Sequence, residues 1–579
     1  MNNIDQKFYN ITLEDCLNIP FEQSFKMLEK LIPKRELELA LDISKHYPSP
    51  LRNNKNTKWT QTAKIIGINP RITKTYWGII KYAMIFPENC IHLMPLWETG
   101  DGSLYVQNSW NLNKDFFDED LSKLGYNTVE KQLKLIINIL HSLGKIVGFD
   151  CLPHVDNFSE IVLTNPKYFE WIKLNNLKTS QIFDIDTNNI YKEIEKIIIQ
   201  EINAPENLYD LEEKERYNII FHKNVDNYTQ RMNLRKQIRN NGYEPIPVVE
   251  HSPMRPVIFD KIESKNDENW AKFVVKDKSS HAKIFGNITP YKWYKISKDG
   301  YPIKNNLEKD VWDYFINKIN DFQSEYNFDF LRADMAHNQI SHSHNDEKDE
   351  HSIEMWKVLK DLIHKNKPYF ATFAEAFYGN YYINGIQDMQ NKNFDIVLGN
   401  MNFKEINEDY FNWLDDFINP FAKNFNFYPC VTIFTNDGDL QEHRHLYSDN
   451  NMNMLRYFIS IFLKLPSYMG IGFETKSCNP ISNNEYSNYS TLKQNNYVFG
   501  ENNNLFIFIN KMREFYIQFQ QIIQNCNVEI LDFNSKDIFG WMYENKLIFI
   551  AKIKDIPISI AGCDNIYKTS FCEIYKVNP

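Results

Sequence analysis

The sequence predicts an α/β protein built on a (β/α)8 TIM barrel, with a long insertion after strand 3 and a small C-terminal antiparallel β domain. Three observations carry this prediction. From about residue 60, short β-rich runs alternate with amphipathic helices, the pattern of parallel βα units. The runs number eight. Four of them end in an acidic residue, and the C-terminal ends of its strands are where a parallel barrel gathers its functional groups.

The elements follow in chain order. Residues 1–59 form an N-terminal extension, and 60–150 the first part of the barrel. The first strand is expected at 63–68, a helix at 73–86, and a second strand at 90–96 with Glu98 and Asp101 just beyond its end. Asn127, with Glu130 three residues later, starts the clearest helix as a capping box. Its Val129, Leu133, Ile136, Ile137, Leu140 and Leu143 recur at helical spacing until Gly144 stops it, and strand 145–150 leaves directly.

The next βα unit opens only at Asn327, so about 170 residues separate strands that a minimal barrel joins with about 30. Residues 151–326 are therefore expected to be an inserted domain, with a helix at 190–202, a charged segment at 211–240, a Pro-rich turn region at 245–256 and strand-like pieces at 270–297. The barrel resumes over 327–526 with strands at 328–334, 369–375, 394–398, 428–434 and 467–473 and a last helix at 504–524. Alternating runs at 528–532, 538–543, 546–552, 556–560 and 571–576 read as the C-terminal β domain, 527–579.

Composition narrows the function. The 579 residues carry 65 Lys+Arg against 75 Asp+Glu, a formal charge of −10, which argues against a nucleic-acid partner. No apolar run is long enough to span a bilayer, and the first residues lack a secretory signal, so a cytoplasmic protein with no membrane partner is expected. The eight cysteines, at 16, 90, 151, 430, 478, 526, 563 and 572, contain no Cys-x-x-Cys and read as free, mostly buried thiols. His342, His344, Asp346 and His351 match no usual zinc spacing and read as a solvated loop.

Asp150, Asp334, Glu375 and Asp437 are the four acids at strand ends. In Phe330-Leu331-Arg332-Ala333-Asp334 the two-residue period puts Arg332 and Asp334 on one face, and a guanidinium beside a carboxylate favours the ionised form that a nucleophile needs. Glu375 closes an apolar strand, where desolvation suits a general acid. Two neighbouring carboxyls under opposed pKa pressures, about 5 Å apart, are what retaining glycoside hydrolysis uses.

At these residues the sequence resembles the α-amylase superfamily of glycoside hydrolases, over roughly residues 60–475. Asp150-Cys151-Leu152-Pro153 resembles the first motif of that family. Phe330 to Ala336 resembles the second, which implies Asp334 as nucleophile and Arg332 as its partner. Ala374-Glu375-Ala376-Phe377 matches the acid/base motif, and Phe434-Thr435-Asn436-Asp437 the motif whose Asp holds sugar hydroxyls and distorts the ring, with Asp439 a rival for that place. Gly472-Phe473-Glu474 is similar to the end of the family's eighth strand. The insertion and the terminal β domain match the positions of the family's domains B and C.

The chain also departs from the pattern. His154-Val155 stand where the family has Asn-His, taking the places of its usual calcium ligand and of one sugar-binding histidine; His337-Asn338 replace Lys-His, and Asn436 replaces a histidine. No cofactor is required on this reading, and calcium is the ion the family would suggest. Asp150, His154, Arg332, His337 and Asn436 are the candidate sugar-binding residues, with Trp97 and Tyr105 as stacking rings and Trp110 and Tyr378 behind them. The resulting expectation is a retaining glycosidase or transglycosylase acting on α-glucosidic bonds of oligosaccharides or glucan. The alternatives are a catalytically decayed carbohydrate-binding or regulatory protein on the same barrel, and an unrelated barrel enzyme, in which Asp334 and Glu375 need not share a cleft.

Overall fold

The computed structural model describes residues 11–100, 103–173, 190–221, 225–246, 288–296, 302–336, 354–375, 392–398, 405–418, 426–432, 449–474 and 503–578. Short strand pieces at 249–250, 259–263, 272–275, 283–284, 434–435, 444–445, 478–480 and 497–499 are also placed.

Eight parallel strands close a barrel: β1 Lys64–Ile68, β2 Cys90–Leu93, β3 Ile146–Cys151, β4 Phe330–Ala333, β5 Ala371–Ala374, β6 Ile396–Val397, β7 in two pieces Tyr428–Pro429 and Val431–Thr432, and β8 Ser467–Gly470. Each strand pairs with its neighbours in sequence, and β8 returns to β1. The two pieces of β7 have a local cause. Tyr428 and Cys430 donate their N–H groups to Asp395 and Val397 on the β6 side, while Val431 donates to Pro466 on the β8 side. Pro429, facing β8, has no N–H to give, so the ladder to β8 begins only after it.

Helices cover the barrel. Three precede it, α1 Leu13–Asn18, α2 Phe21–Leu31 and α3 Lys34–Leu41. Then α4 Tyr76–Ala83 follows β1, and α5 Val129–Ser142 follows β2. The insertion brings α6 Glu160–Thr164, α7 Ile190–Ile202, α8 Glu213–Phe221 and α9 Asn227–Asn240. The barrel then continues with α10 Lys309–Tyr326 before β4, α11 Met355–His364, α12 Glu408–Ile418, α13 Asn450–Phe462 and α14 Asn503–Asn525. No helix among the described residues is long and apolar enough to cross a membrane.

Several expected elements shift. Thr128, not Asn127, caps α5, its hydroxyl accepting from Lys131 N; Asn127 instead accepts from the Lys131 ammonium. The helix expected at 73–86 is α4, opened by Thr75. The extension before residue 60, to which the sequence assigned no elements, is helical and docked: Phe21 and Phe25 pack on Trp77, whose indole N–H donates to Ser24. Below the barrel, Leu51 and Trp59 join the interior cluster, and the Trp59 indole donates to Tyr369 O.

The C-terminal sheet has five antiparallel strands, β9 Val528–Leu531, β10 Ile538–Tyr543, β11 Leu547–Lys552, β12 Cys563–Lys568 and β13 Cys572–Val577, in the order β9-β10-β11-β13-β12. The strand expected at 556–560 is not formed. Ile556, Ile558 and Ile560 alternate as a strand would, but Pro557 among them cannot donate to a ladder, and the edge strand starts instead after Gly562, whose φ is +73°. Seven cysteines are described, all free, and all but Cys563 are buried.

The barrel interior grades from apolar to charged. Ile65, Cys90, Ile146, Ala371 and Ile396 pack around Phe330, and a side chain at Gly148 would collide with the Phe330 ring. At the N-terminal end Lys64, fully buried, donates to Ser460 O, Leu463 O and Leu465 O at 2.6, 2.8 and 2.8 Å, tying β1 to the end of α13. Lys64→Met leaves three carbonyls without a donor and is expected to cost about 3 kcal/mol in urea unfolding; a loss within error of zero refutes the tie.

Candidate active site

Strand register assembles the site. Arg332 on β4 stands opposite Asp150 on β3, and the ladder continues past the strand ends: Asp334 N donates to Cys151 O and Glu375 N to Ala333 O, both at 3.0 Å. Alternation along the strands turns Asp150, Arg332, Asp334 and Glu375 inward to one cluster above the apolar layer. Asp334 and Glu375 share one site, as a glycosidase needs.

One guanidinium holds the cluster together. Arg332 Nη1 lies 2.9 Å from both oxygens of Asp150 and 3.1 Å from Asp334 Oδ1; Nη2 lies 2.6 Å from Glu375 Oε1. The second oxygen of Glu375 accepts from Met335 N at 2.7 Å. Met335 is in the left-handed region, φ +46°, a conformation that costs a non-glycine residue about 1 kcal/mol and here turns its N–H toward Glu375.

Electrostatics differ from the sequence expectation. Burial works against charge on Asp150, yet Arg332, His92 and the Tyr105 hydroxyl hold its carboxyl below the ordinary value. Asp334 behaves oppositely. Burial and then the neighbouring Glu375 carboxyl, which is within hydrogen-bond reach, push it well above the usual range, outweighing Arg332. Arg332 is shared with two competitors, Glu375 at 2.6 Å and Asp150 at 2.9 Å, both nearer than Asp334 at 3.1 Å, so its pull on Asp334 is outweighed. The same guanidinium meets both carboxyls, Asp334 at 3.1 Å and Glu375 at 2.6 Å.

Other expected residues divide. Tyr105 enters the site: its hydroxyl donates to Asp150 Oδ2 at 2.9 Å, and the Arg332 guanidinium lies 5.8 Å from its ring centre. His154 does too, with Nε2 3.0 Å from Tyr105 O and 3.7 Å from Asp334 Oδ2; the strand His154–Asp156 is fixed by antiparallel pairing with Ile288–Pro290 of the insertion. Trp97 does not. Its ring is 1% exposed and packs on Trp110, Phe149 and Phe322 in the layer between barrel and helices, because Phe149 alternates outward where Asp150 points in. Trp110 shares that outer layer, its indole donating to the Tyr314 hydroxyl. His337, Asn338, Tyr378, Asn436, Asp437, Asp439 and the 342–351 histidine stretch lie outside the described residues.

The residues present do not fit calcium at the first motif. His154 offers nitrogen where calcium takes oxygen, and its Nε2 must carry a hydrogen to meet the Tyr105 carbonyl. Among the described residues no group of three or more His, Cys, Asp or Glu is arranged to hold a metal ion.

His92 on β2 was not singled out by the sequence. Its Nε2 is 3.4 Å from Asp150 Oδ2 and its Nδ1 3.1 Å from the Tyr468 hydroxyl. Burial lowers its pKa and so favours the neutral ring. The readable signal was a lone imidazole in the apolar run Cys90-Ile91-His92-Leu93, one position from the strand end.

No known protein-family profile matches the chain, and no curated protein matches its sequence. Solved structures do match in fold. The isomaltulose synthase SmuA from Protaminobacter rubrum superposes with a TM-score of 0.53 at 8% identity, over 90% of this chain and 100% of that one. The trehalose-6-phosphate hydrolase of Bacillus licheniformis gives 0.50 at 10% identity, over 90% and 99%.

Because Asp334 binds its proton more tightly folded than unfolded, its stabilising share is complete below about pH 4 and is lost as pH rises through its raised value. Asp334→Asn, which stays neutral, is therefore expected to melt above wild type near neutral pH, with the gap closing toward pH 4; a gap independent of pH refutes the raised carboxyl. The barrel, its insertion and its terminal sheet together give this chain the fold of the isomaltulose synthase and the trehalose-6-phosphate hydrolase.

Proposed function

We propose that the chain is a retaining glycosidase or transglycosylase acting on α-glucosidic bonds of oligosaccharides or glucan. The observation that carries the reading is the Asp334 and Glu375 pair within hydrogen-bond reach under one guanidinium. Such a pair favours one proton between two carboxyls, the stoichiometry double displacement needs: one acid protonated, one nucleophile bare.

In the mechanism, a sugar entering the cluster parts the two carboxyls. The proton passes to Glu375 as Asp334, facing the electron-poor anomeric carbon, ionises. Asp334 attacks that carbon, and the glycosidic oxygen leaves with the Glu375 proton. Glu375, now a carboxylate, takes a proton from water or a sugar hydroxyl, whose oxygen displaces Asp334 and frees the product. Asp150, kept charged, stabilises positive charge developing on the ring and accepts from its hydroxyls. Tyr105 and His154 shape the same pocket.

The structural neighbours support the substrate class: one is an isomaltulose synthase and the other a trehalose-6-phosphate hydrolase. The choice between water and sugar as acceptor is left to the assay.

With aryl α-glucosides, maltooligosaccharides and sucrose as substrates, Glu375→Gln is expected to lower kcat about 10²–10⁴-fold. Proton NMR of the first-formed product is expected to show the α anomer. A β product would overturn the double displacement, and binding of sugar without turnover by wild type would favour the decayed-barrel alternative. His92→Leu removes the imidazole that lies 3.4 Å from Asp150 and leaves the Tyr468 hydroxyl without that partner, and is expected to reduce kcat/KM about tenfold; unchanged kcat/KM removes His92 from the site.

A further inference from the structure

A cavity of about 270 Å³ opens where the insertion meets the barrel's helix layer. It lies between the strand Gln107–Leu112, α6, α8 and α10, and shares no residue with the carboxyl cluster. Trp110, Tyr217 and Ile161 line it with apolar surface; Ser109, Asn111 and Thr164 line it with hydroxyl and amide groups.

Its charges are already spent. Glu160, 3% exposed, is held by neutral donors: Asn108 Nδ2 at 3.0 Å, Asn227 Nδ2 at 3.2 Å from each oxygen, and the Tyr217 hydroxyl. Glu213 is met by Lys318 at 2.8 Å and by the Tyr314 hydroxyl at 2.7 Å. Two lining carboxylates face two lining lysines, Lys214 and Lys318, so the cavity selects for neither sign. One polar group is not spent. The Thr164 hydroxyl, on a residue 1% exposed, has no hydrogen-bond partner among the described residues, an arrangement that buried polar groups avoid.

Aromatic and aliphatic walls with a few convergent polar groups are the make-up of a small-ligand site, and this volume is at the small end for one. A charged ligand gains nothing from a neutral lining, and a purely apolar one would leave the Thr164 hydroxyl unmet. We propose that this cavity binds one neutral polyhydroxylated ring, a single sugar unit, as a site separate from the barrel mouth. The ring's C–H face lies on the aromatic wall, and its hydroxyls meet Thr164, Ser109 and Asn111.

The test titrates the full chain with glucose and maltose by calorimetry. Asp334→Asn is the background, so that binding is read without turnover. A sugar-binding component is expected to remain in that background; adding Trp110→Ala should weaken it at least tenfold, and Thr164→Val several-fold. In the otherwise wild-type chain Thr164→Val should leave glycoside turnover unchanged. Thr164→Val is nearly isosteric, so it decides the matter if Trp110→Ala fails to fold by circular dichroism. No sugar-binding component in the Asp334→Asn chain, or one untouched by the cavity substitutions, overturns the proposal. The choice of sugar as probe rests on the proposed function, but the binding readout does not, so a chain that turns nothing over while showing the Thr164-dependent component sinks the catalytic reading and leaves this one standing.

Discussion

Three carboxylates cannot be buried side by side without a cation among them, and in this protein the cation is a single guanidinium. Arg332 reaches Asp150 and Asp334 through one nitrogen and Glu375 through the other. Its planar fork suits that task where a lysine's point charge would not. One positive charge against three acids still leaves an excess of negative charge in a low-dielectric site. Burial and the neighbouring Glu375 carboxyl raise the Asp334 carboxyl, and burial lowers the His92 imidazole, so both groups lean toward their neutral forms. Unequal sharing of Arg332 goes with opposite shifts, Asp150 downward and Asp334 upward.

The fold makes that cluster affordable by placing it above a closed, tightly filled barrel. Phe330 lies against Gly148, and Tyr468 against Gly67, so at neither position is there room for a side chain beneath the charges. Tyr468 also links the two layers through its hydroxyl to His92. The same strands thus carry both the packing that stabilises the barrel and the acids that destabilise it, separated only by height along the strand. Closure at β7 is compatible with a proline because its missing N–H falls on one side of the strand alone.

The insertion takes part in the site as well as lying beside it. Pairing of Ile288–Pro290 with His154–Asp156 sets the height of His154, and the helices α8 and α9 supply Tyr217 and Asn227 to the buried Glu160. Glu160 is a carboxylate satisfied wholly by neutral hydrogen bonds, a different solution from the charge-shared one at the barrel mouth. That difference is why the carboxyl cluster reads as suited to charge development and the cavity beside Glu160 to a neutral ring.

The sequence by itself determined the eight strands, their order, and that Arg332 and Asp334 share a face, because apolar runs, strand period and strand-end acids are local properties of the chain. It also determined that Asp150, Arg332, Asp334 and Glu375 share one end of the barrel. Three things were out of its reach. Trp97 follows a strand end as Tyr105 does, yet one ring is walled into the helix layer and the other touches Asp150, a choice made by the neighbours Phe149 and Phe322. His92 gains meaning only from Tyr468, 376 positions away, and Asp150 on the adjoining strand. And the proton's place depended on how Arg332 divides itself among three acids, since adjacency along a strand says which groups are near but burial and competition decide which of them stays charged.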